Sequence, residues 1–159
     1  MIRVLQNSIG DVWFDVISRP YSFATPFEGS DYALLLVIND TNISEEEQSN
    51  LSDKLVATGC RYAVCTGHEC SSWDDSIDYA FIFTDSNFNP PDEKFVMTTW
   101  HTDEEIEDVI NFFRWGTNFD DFVPSKFLVL FVGESVTLKN RVLPALEQSF
   151  SLVANGDKH

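Results

Sequence analysis

Basic residues are scarce in this sequence, and their scarcity restricts the partners that the protein can bind. Ten lysines and arginines accompany 26 aspartates and glutamates, which gives a net charge of −16 at pH 7. Nucleic acids and anionic membranes are bound through clusters of basic side chains. We therefore expect that the protein neither binds nucleic acid through a basic patch nor binds a membrane surface. The acidic surface either favours solubility or faces a protein partner, which in that case is basic.

Long apolar segments and paired cysteines are also missing. The longest apolar run, Ala33–Ile38, is far shorter than a membrane-spanning helix. The residues that follow Met1 are too polar for the apolar part of a signal peptide. The three cysteines, Cys60, Cys65 and Cys70, are an odd number that suits a reducing compartment. We therefore expect a soluble, cytoplasmic protein.

Phosphate-binding glycine motifs are absent as well. The chain contains neither Gly-x-Gly-x-x-Gly nor Gly-x-x-x-x-Gly-Lys-Ser/Thr, and Gly67 and Gly133 stand alone in their turns. A nucleotide cofactor is therefore not expected, and no other cofactor is indicated.

Apolar segments do alternate with helical segments, at intervals of about 30 residues, which is typical of βαβ units. The pattern predicts an α/β fold with three layers, in which helices cover both faces of a mostly parallel sheet of four to five strands. A flavodoxin-like or Rossmann-like strand order is expected. The predicted parallel strands are Tyr32–Ile38, Cys60–Cys65, Phe95–Thr99 and Lys126–Val132.

The chain of 159 residues fits a single domain. Residues 1–30 hold two strand-like segments, Ile2–Leu5 and Val12–Ile17, which predict an N-terminal antiparallel hairpin at a sheet edge. Residues 31–154 carry the βα repeats, and residues 155–159 form a polar tail.

Helix boundaries are indicated by capping residues. Ser44–Glu47 and Thr102–Glu105 both match the capping box, and Ser72 is a candidate N-cap for the helix between them. Pro144 lies either in the first turn of the last helix or at a kink, and that helix is predicted to continue to about Val153.

Candidate catalytic residues follow the predicted strands, because open α/β sheets bind ligands outside the carboxyl ends of their strands. His68 and His101 follow the second and third of these strands, with Cys70 and Asp40 as further candidates. Either histidine can act as an acid or base, and a thiol near a helix start is a candidate nucleophile. His68, Cys70, His101 and Asp103 are also suitable metal ligands, but their spacing matches no zinc pattern, and no metal site is predicted.

Aromatic side chains suggest a different kind of site. Several lie at predicted element ends and in loops, where an exposed aromatic cluster among acids is typical of a protein-binding hot spot. The alternative is that they close the ends of the core. The candidate binding residues are Trp73, Trp100, Trp115, Phe119 and Phe122.

A family resemblance covers about residues 30–135. The chain resembles a small family of uncharacterised bacterial α/β domains. The resemblance is carried by Cys60–Trp73, which includes Gly67-His68-Glu69-Cys70, and by Thr99–His101, Asn118–Asp120 and Phe127–Gly133. The resemblance implies a bacterial cytoplasmic protein. That family has no assigned activity, so it implies no site residues.

Three functional hypotheses follow. The first is a small acidic module that neutralises or regulates a protein partner, in the manner of an immunity or accessory protein. The second is an enzyme or small-ligand binder at the sheet edge around His68 and His101. The third is a structural homodimer joined by an aromatic face or a sheet edge. Because no catalytic motif is present, we rank them in this order.

Overall fold

The computed structural model describes residues 1–152, which form a six-stranded sheet and four α-helices. A 3₁₀ turn at Asp92–Lys94 precedes the fifth strand. The strands are β1 (Ile2–Gln6), β2 (Asp11–Ile17), β3 (Tyr32–Ile38), β4 (Cys60–Gly67), β5 (Met97–His101) and β6 (Lys126–Val132). The helices are α1 (Glu45–Ala57), α2 (Cys70–Ile82), α3 (Ile106–Trp115) and α4 (Val136–Ser149).

The strands lie in the order β1-β2-β6-β3-β4-β5. β1 pairs antiparallel with β2, and every other neighbouring pair is parallel. The predicted α/β fold with an N-terminal antiparallel hairpin at one edge is therefore confirmed. β5 forms the other edge of the sheet.

Helices cover both faces of the sheet. Leu51 of α1 and Ile77 of α2 pack in one apolar cluster, and Ile110 of α3 and Leu146 of α4 pack in the other. β3 lies between the two clusters and all seven of its residues are buried, as its continuous apolar sequence predicts. None of the described helices is long and apolar enough to cross a lipid bilayer.

The first predicted capping box is present and the second is not. Ser44 and Glu47 exchange both capping hydrogen bonds at the start of α1. At the second site, Asp103 has a φ of 60° and the Glu104 carboxylate contacts His101, so α3 begins only at Ile106, without a side-chain cap. Glu105, the glutamate of the motif, instead pairs with Arg141 of α4 at 2.9 Å.

Several other boundaries differ from the prediction. β4 continues to Gly67 instead of Cys65, and β5 continues to His101 instead of Thr99, so His101 is the last residue of its strand. α2 begins at Cys70, and Ser72 lies inside it, where its hydroxyl accepts a hydrogen bond from Gln48 of α1. β5 begins at Met97 instead of Phe95, because the Phe95 carbonyl accepts a hydrogen bond from Arg61 and ends the preceding 3₁₀ turn.

The C-terminal helix also ends earlier than predicted. α4 ends at Ser149, with Phe150 as its buried C-cap. Pro144 lies well inside α4, which excludes the first-turn alternative. Val153 and the predicted tail, residues 155–159, lie outside the described residues.

Candidate functional site

The carboxyl ends of the parallel strands form one edge of the sheet, where β4 and β6 lie on opposite sides of β3. Asp40, just after β3, accepts a hydrogen bond of 2.5 Å from the Tyr21 hydroxyl. A Cβ atom on Gly133, just after β6, would lie 2.2 Å from Asp40 Oδ1. The switch point, where open α/β sheets usually bind ligands, is therefore tightly packed around Asp40.

The groups around Asp40 also join the loop after β2 to the rest of the sheet. Burial raises the pKa of Tyr21 to about 12, and the Asp40 carboxylate adds to this rise. Tyr21 therefore keeps its proton and donates a hydrogen bond to Asp40 throughout the physiological range. Arg19, two residues earlier, pairs with Glu47 of α1 at 2.7 Å, and this hydrogen bond lowers the pKa of Glu47 to about 2.

His68 is exposed at the end of β4. Its Nε2 lies 3.9 Å from the nearest carboxylate oxygen of Glu69, and its backbone N–H donates to the Ile38 carbonyl. The ring borders a cavity of about 230 Å³ on the α1–α2 side, which Asp40 also lines. No described hydrogen bond fixes the imidazole ring.

His101 is buried at the end of β5 and has both ring nitrogens occupied. Nδ1 lies 3.0 Å from a Glu104 oxygen, and Nε2 lies 3.1 Å from the Thr99 hydroxyl. Its ring centroid lies 4.8 Å from that of Phe112 on α3. The residue borders a cavity of about 320 Å³ that is lined by α3 and α4 residues. His68 and His101 therefore border separate cavities on different faces of the sheet.

All three cysteines are free and buried. Burial raises the pKa of Cys60 to about 12 and that of Cys65 well above its ordinary value, so both remain thiols. The Cys70 sulfur lies 3.6 Å from the Thr102 hydroxyl and 3.8 Å from the His101 carbonyl oxygen. Its contacts are with the turn after β5 and not with a histidine ring.

The aromatic residues singled out in the sequence are distributed over different parts of the molecule. Trp73 and Phe122 are buried and belong to different apolar clusters, and Phe119 is partly buried. Trp100 on β5 and Trp115 at the end of α3 are exposed. The Trp115 ring is covered on one side by the Arg114 guanidinium, at 3.9 Å.

A different set of aromatic side chains forms an exposed cluster, which we call the α2 aromatic patch. It consists of Tyr79, Phe83 and Phe88, which are 59%, 62% and 65% exposed. Tyr79 and Phe83 stack with ring centroids 6.0 Å apart, and Phe88 meets Phe83 edge-on at 5.6 Å. The patch is therefore a contiguous apolar surface at the end of α2.

A groove of about 580 Å³ between α1 and α2 continues from the patch, and Tyr79 and Phe83 line part of it. Hydrogen bonds between Ser52 and Ser76, at 2.8 Å, and between Gln48 and Ser72, at 2.9 Å, hold the two helices together. None of the residues that line the groove is basic. Its acidic members are Glu45, Asp53 and Asp75.

The spacing of aromatic residues along α2 is the sequence signal for this patch. Trp73, Ile77 and Phe81 define the inner face of α2, and Tyr79 and Phe83 repeat at i, i+4 away from it. Two aromatics at that spacing on an outer helix face predict an exposed pair. The loop position of Phe88 has no comparable signal.

Comparison with known proteins gives a family but no activity. Residues 16–149 match the family model described as Domain of unknown function (DUF7684). The chain belongs to this family. The match begins before the segment that carried the resemblance in the sequence and also extends beyond it, and it includes α4. No curated protein and no solved structure matches the chain.

Proposed function

We propose that this DUF7684 protein is an acidic binding module that neutralises or regulates a basic protein partner, as immunity and accessory proteins do. The observation that carries the proposal is the α2 aromatic patch, which continues into the acid-lined groove. Aromatic side chains bury large apolar areas at little entropic cost and are frequent in interface hot spots. An exposed cluster of three is costly to leave in water unless a partner covers it.

Charge supports a basic partner in particular. The net charge of −16 attracts cationic proteins over a distance of about one Debye length and raises their association rate. At the site itself, Glu45, Asp53 and Asp75 provide carboxylates beside the apolar rings. A partner surface with an apolar centre and lysine or arginine at its rim complements this arrangement.

The other two hypotheses receive less support. An enzyme around both histidines requires them in one site, but they border separate cavities, and the ring nitrogens of His101 are occupied. A symmetric homodimer through the α2 aromatic patch would bring the same acidic rim of two copies together, which is electrostatically unfavourable. The three free, buried thiols are consistent with the cytoplasmic location that we expect.

Photo-crosslinking in a lysate of the native host, in which the salt concentration can be varied, tests the proposal. A benzophenone amino acid replaces Phe83 in the patch or, as a matched control, Trp115, which is similarly exposed but lies on the α3–α4 side. We expect a basic protein to crosslink at position 83 and not at position 115, with a yield that falls as the salt concentration is raised. The same set of proteins at both positions, or none at either, would contradict the proposal.

A further inference from the structure

Three carboxylates converge between α2 and the edge strand β5. One oxygen from each of Asp74, Asp75 and Asp78 lies within 4.8 Å of the others. The positions i and i+4 place Asp74 and Asp78 on one face of α2, where it packs against β5, and Asp75 adjoins them from the solvent side. First-turn charges favoured by the helix dipole do not explain the cluster, because the first turn of α2 has no acidic residue.

A buried and unpartnered oxygen distinguishes this cluster from an ordinary acidic surface. Asp74 is only 6% exposed, and its Oδ1 has no hydrogen-bond partner. Buried carboxylate oxygens are normally paired, so an unpaired one is a group that a ligand can bind. Thr98 of β5 donates to Asp78 Oδ1 at 2.7 Å and holds that carboxylate in place. Across residues 1–152, no described ion pair involves any of the three aspartates.

We infer that Asp74, Asp75 and Asp78 form a binding site for a divalent cation that prefers oxygen ligands, with Ca²⁺ favoured over Mg²⁺. An ion placed between the three oxygens lies within about 2.8 Å of each. That upper limit admits the roughly 2.3–2.6 Å of Ca²⁺–oxygen bonds. Ca²⁺ is favoured because it accepts irregular coordination by carboxylates, whereas Mg²⁺ demands near-octahedral geometry and gives up its waters reluctantly. The exposed side of Asp75 leaves room for water to complete the coordination shell.

The electrostatics of the cluster favour a bound cation. Burial raises the pKa of both Asp74 and Asp78; a hydrogen bond from Thr98 opposes this rise, and neighbouring aspartates add to it. A cation among the three carboxylates would compensate their mutual repulsion and pair with the buried Asp74 carboxylate. Three carboxylates without the further ligands of an EF-hand suggest a dissociation constant on the order of 10⁻⁴ M.

Isothermal titration calorimetry of the chelator-treated full chain with CaCl₂ tests the site. At about 0.15 M NaCl, which screens diffuse attraction to an acidic protein, we expect one Ca²⁺ per chain and weaker binding of MgCl₂. Asp74→Asn and Asp78→Asn should each weaken Ca²⁺ binding at least tenfold. The control Asp121→Asn removes an exposed carboxylate that is not part of the cluster and should leave binding unchanged.

Other outcomes would overturn the inference. One is the absence of Ca²⁺ binding in the wild-type chain. The other is Ca²⁺ binding that is weakened equally by Asp74→Asn, Asp78→Asn and Asp121→Asn, because a diffuse charge effect does not distinguish between the three positions. If the buried variants fail to fold, Asp75→Asn decides the question, because Asp75 is exposed and its replacement leaves the α2–β5 packing intact. Unchanged Ca²⁺ affinity in Asp75→Asn would then overturn the inference.

Discussion

Replacing Asp74 by asparagine is expected to stabilise the cation-free protein. The substitution keeps the shape of the side chain and removes a buried negative charge that lies beside two other carboxylates and has an unpartnered oxygen. An unsatisfied buried polar atom costs about 1–3 kcal/mol. Asparagine leaves that oxygen unpaired and relieves only the extra cost of its charge, so we expect the free energy of unfolding to rise by about 1–2 kcal/mol. For a chain of this size, the increase corresponds to a rise in Tm of about 2–8 °C.

The effect should depend on pH in a defined direction. Because the pKa of Asp74 in the folded protein is raised above 3.8, its contribution to stability is complete below that value. The contribution is lost as the pH rises through the folded-state pKa. The gain from Asp74→Asn should therefore be small at pH 3 and larger at pH 7. Urea unfolding in the presence of a chelator, followed by circular dichroism at both pH values, measures it.

Asp121→Asn is the matched control for this experiment, because Asp121 is exposed and lies outside the cluster. Its stability should stay within about 0.5 kcal/mol of the wild type at both pH values. The reasoning is refuted if Asp74→Asn destabilises the cation-free protein at pH 7. It is also refuted if the gain is the same at pH 3 and pH 7.

Three further predictions concern the network at the carboxyl edge. Gly133→Ala should destabilise the protein by about 2–4 kcal/mol in thermal unfolding, because φ is +91° and the added Cβ would meet Asp40 Oδ1. Tyr21→Phe should cost about 1–3 kcal/mol, because Asp40 Oδ2 loses its donor. Because the pKa of Tyr21 is raised to about 12, this difference should be present below pH 10 and diminish as the pH rises towards 12. The hydrogen bond with Arg19 lowers the pKa of Glu47 to about 2, so the charged carboxylate stabilises the folded protein. Glu47→Gln should therefore lower the free energy of unfolding above about pH 4.5, the ordinary pKa of glutamate, and this difference should disappear as the pH falls towards 2.

Each of these three predictions has a comparison that isolates its cause. Gly29 has a φ of +75°, and no atom lies within 4 Å of the place that a Cβ would take, so Gly29→Ala measures the cost of the backbone conformation alone. Equal losses in the two glycine variants would contradict the clash with Asp40. A Tyr21→Phe variant as stable as the wild type at pH 7 would contradict the Asp40 contact. A Glu47→Gln effect that is constant from pH 2 to pH 7 would contradict the role of the Arg19 pair.

Much of the fold was predictable because its signals are local or follow directly from burial. Tyr32–Ile38 and Phe127–Val132 are apolar throughout because helices cover both faces of the sheet, and Tyr32–Ile38 and Lys126–Val132 are strands with the predicted bounds. The capping box at Ser44–Glu47 was predictable because both partners lie within four residues of each other. Signals of this kind do not depend on the rest of the chain.

The boundaries that were predicted wrongly depend on distant residues. Thr102–Glu105 has the capping-box sequence, but the glutamate of that box, Glu105, pairs with Arg141 of α4, 36 residues away. The start of β5 is set by Arg61, which hydrogen-bonds the Phe95 carbonyl from another strand. Neither interaction can be inferred from local sequence. Tertiary contacts decide such choices between competing partners.

The candidate sites were harder to predict than the fold. Strand order alone places His68 and His101 at the same edge, but their rings lie on different faces. His101 ends β5 and shares a face with Thr99, whereas His68 lies in the turn after β4. If Ser72 were the N-cap of α2, as predicted, Asp74 and Asp75 would lie in the first turn of the helix, where acidic residues interact favourably with the helix dipole. Because α2 in fact begins at Cys70, Asp74 lies in its second turn and is buried against β5.

The central claim is that the α2 aromatic patch binds a basic protein, and the dissociation constant of the captured partner tests it most directly. The partner crosslinked at position 83 is purified and titrated with the wild-type chain, with the double variant Phe83→Ala/Phe88→Ala, and with Trp115→Ala as the control. We predict that the double variant binds at least about 30-fold more weakly, as loss of a 2 kcal/mol hot spot requires, while the control is unchanged. Equal affinities for the double variant and the wild type would contradict the claim.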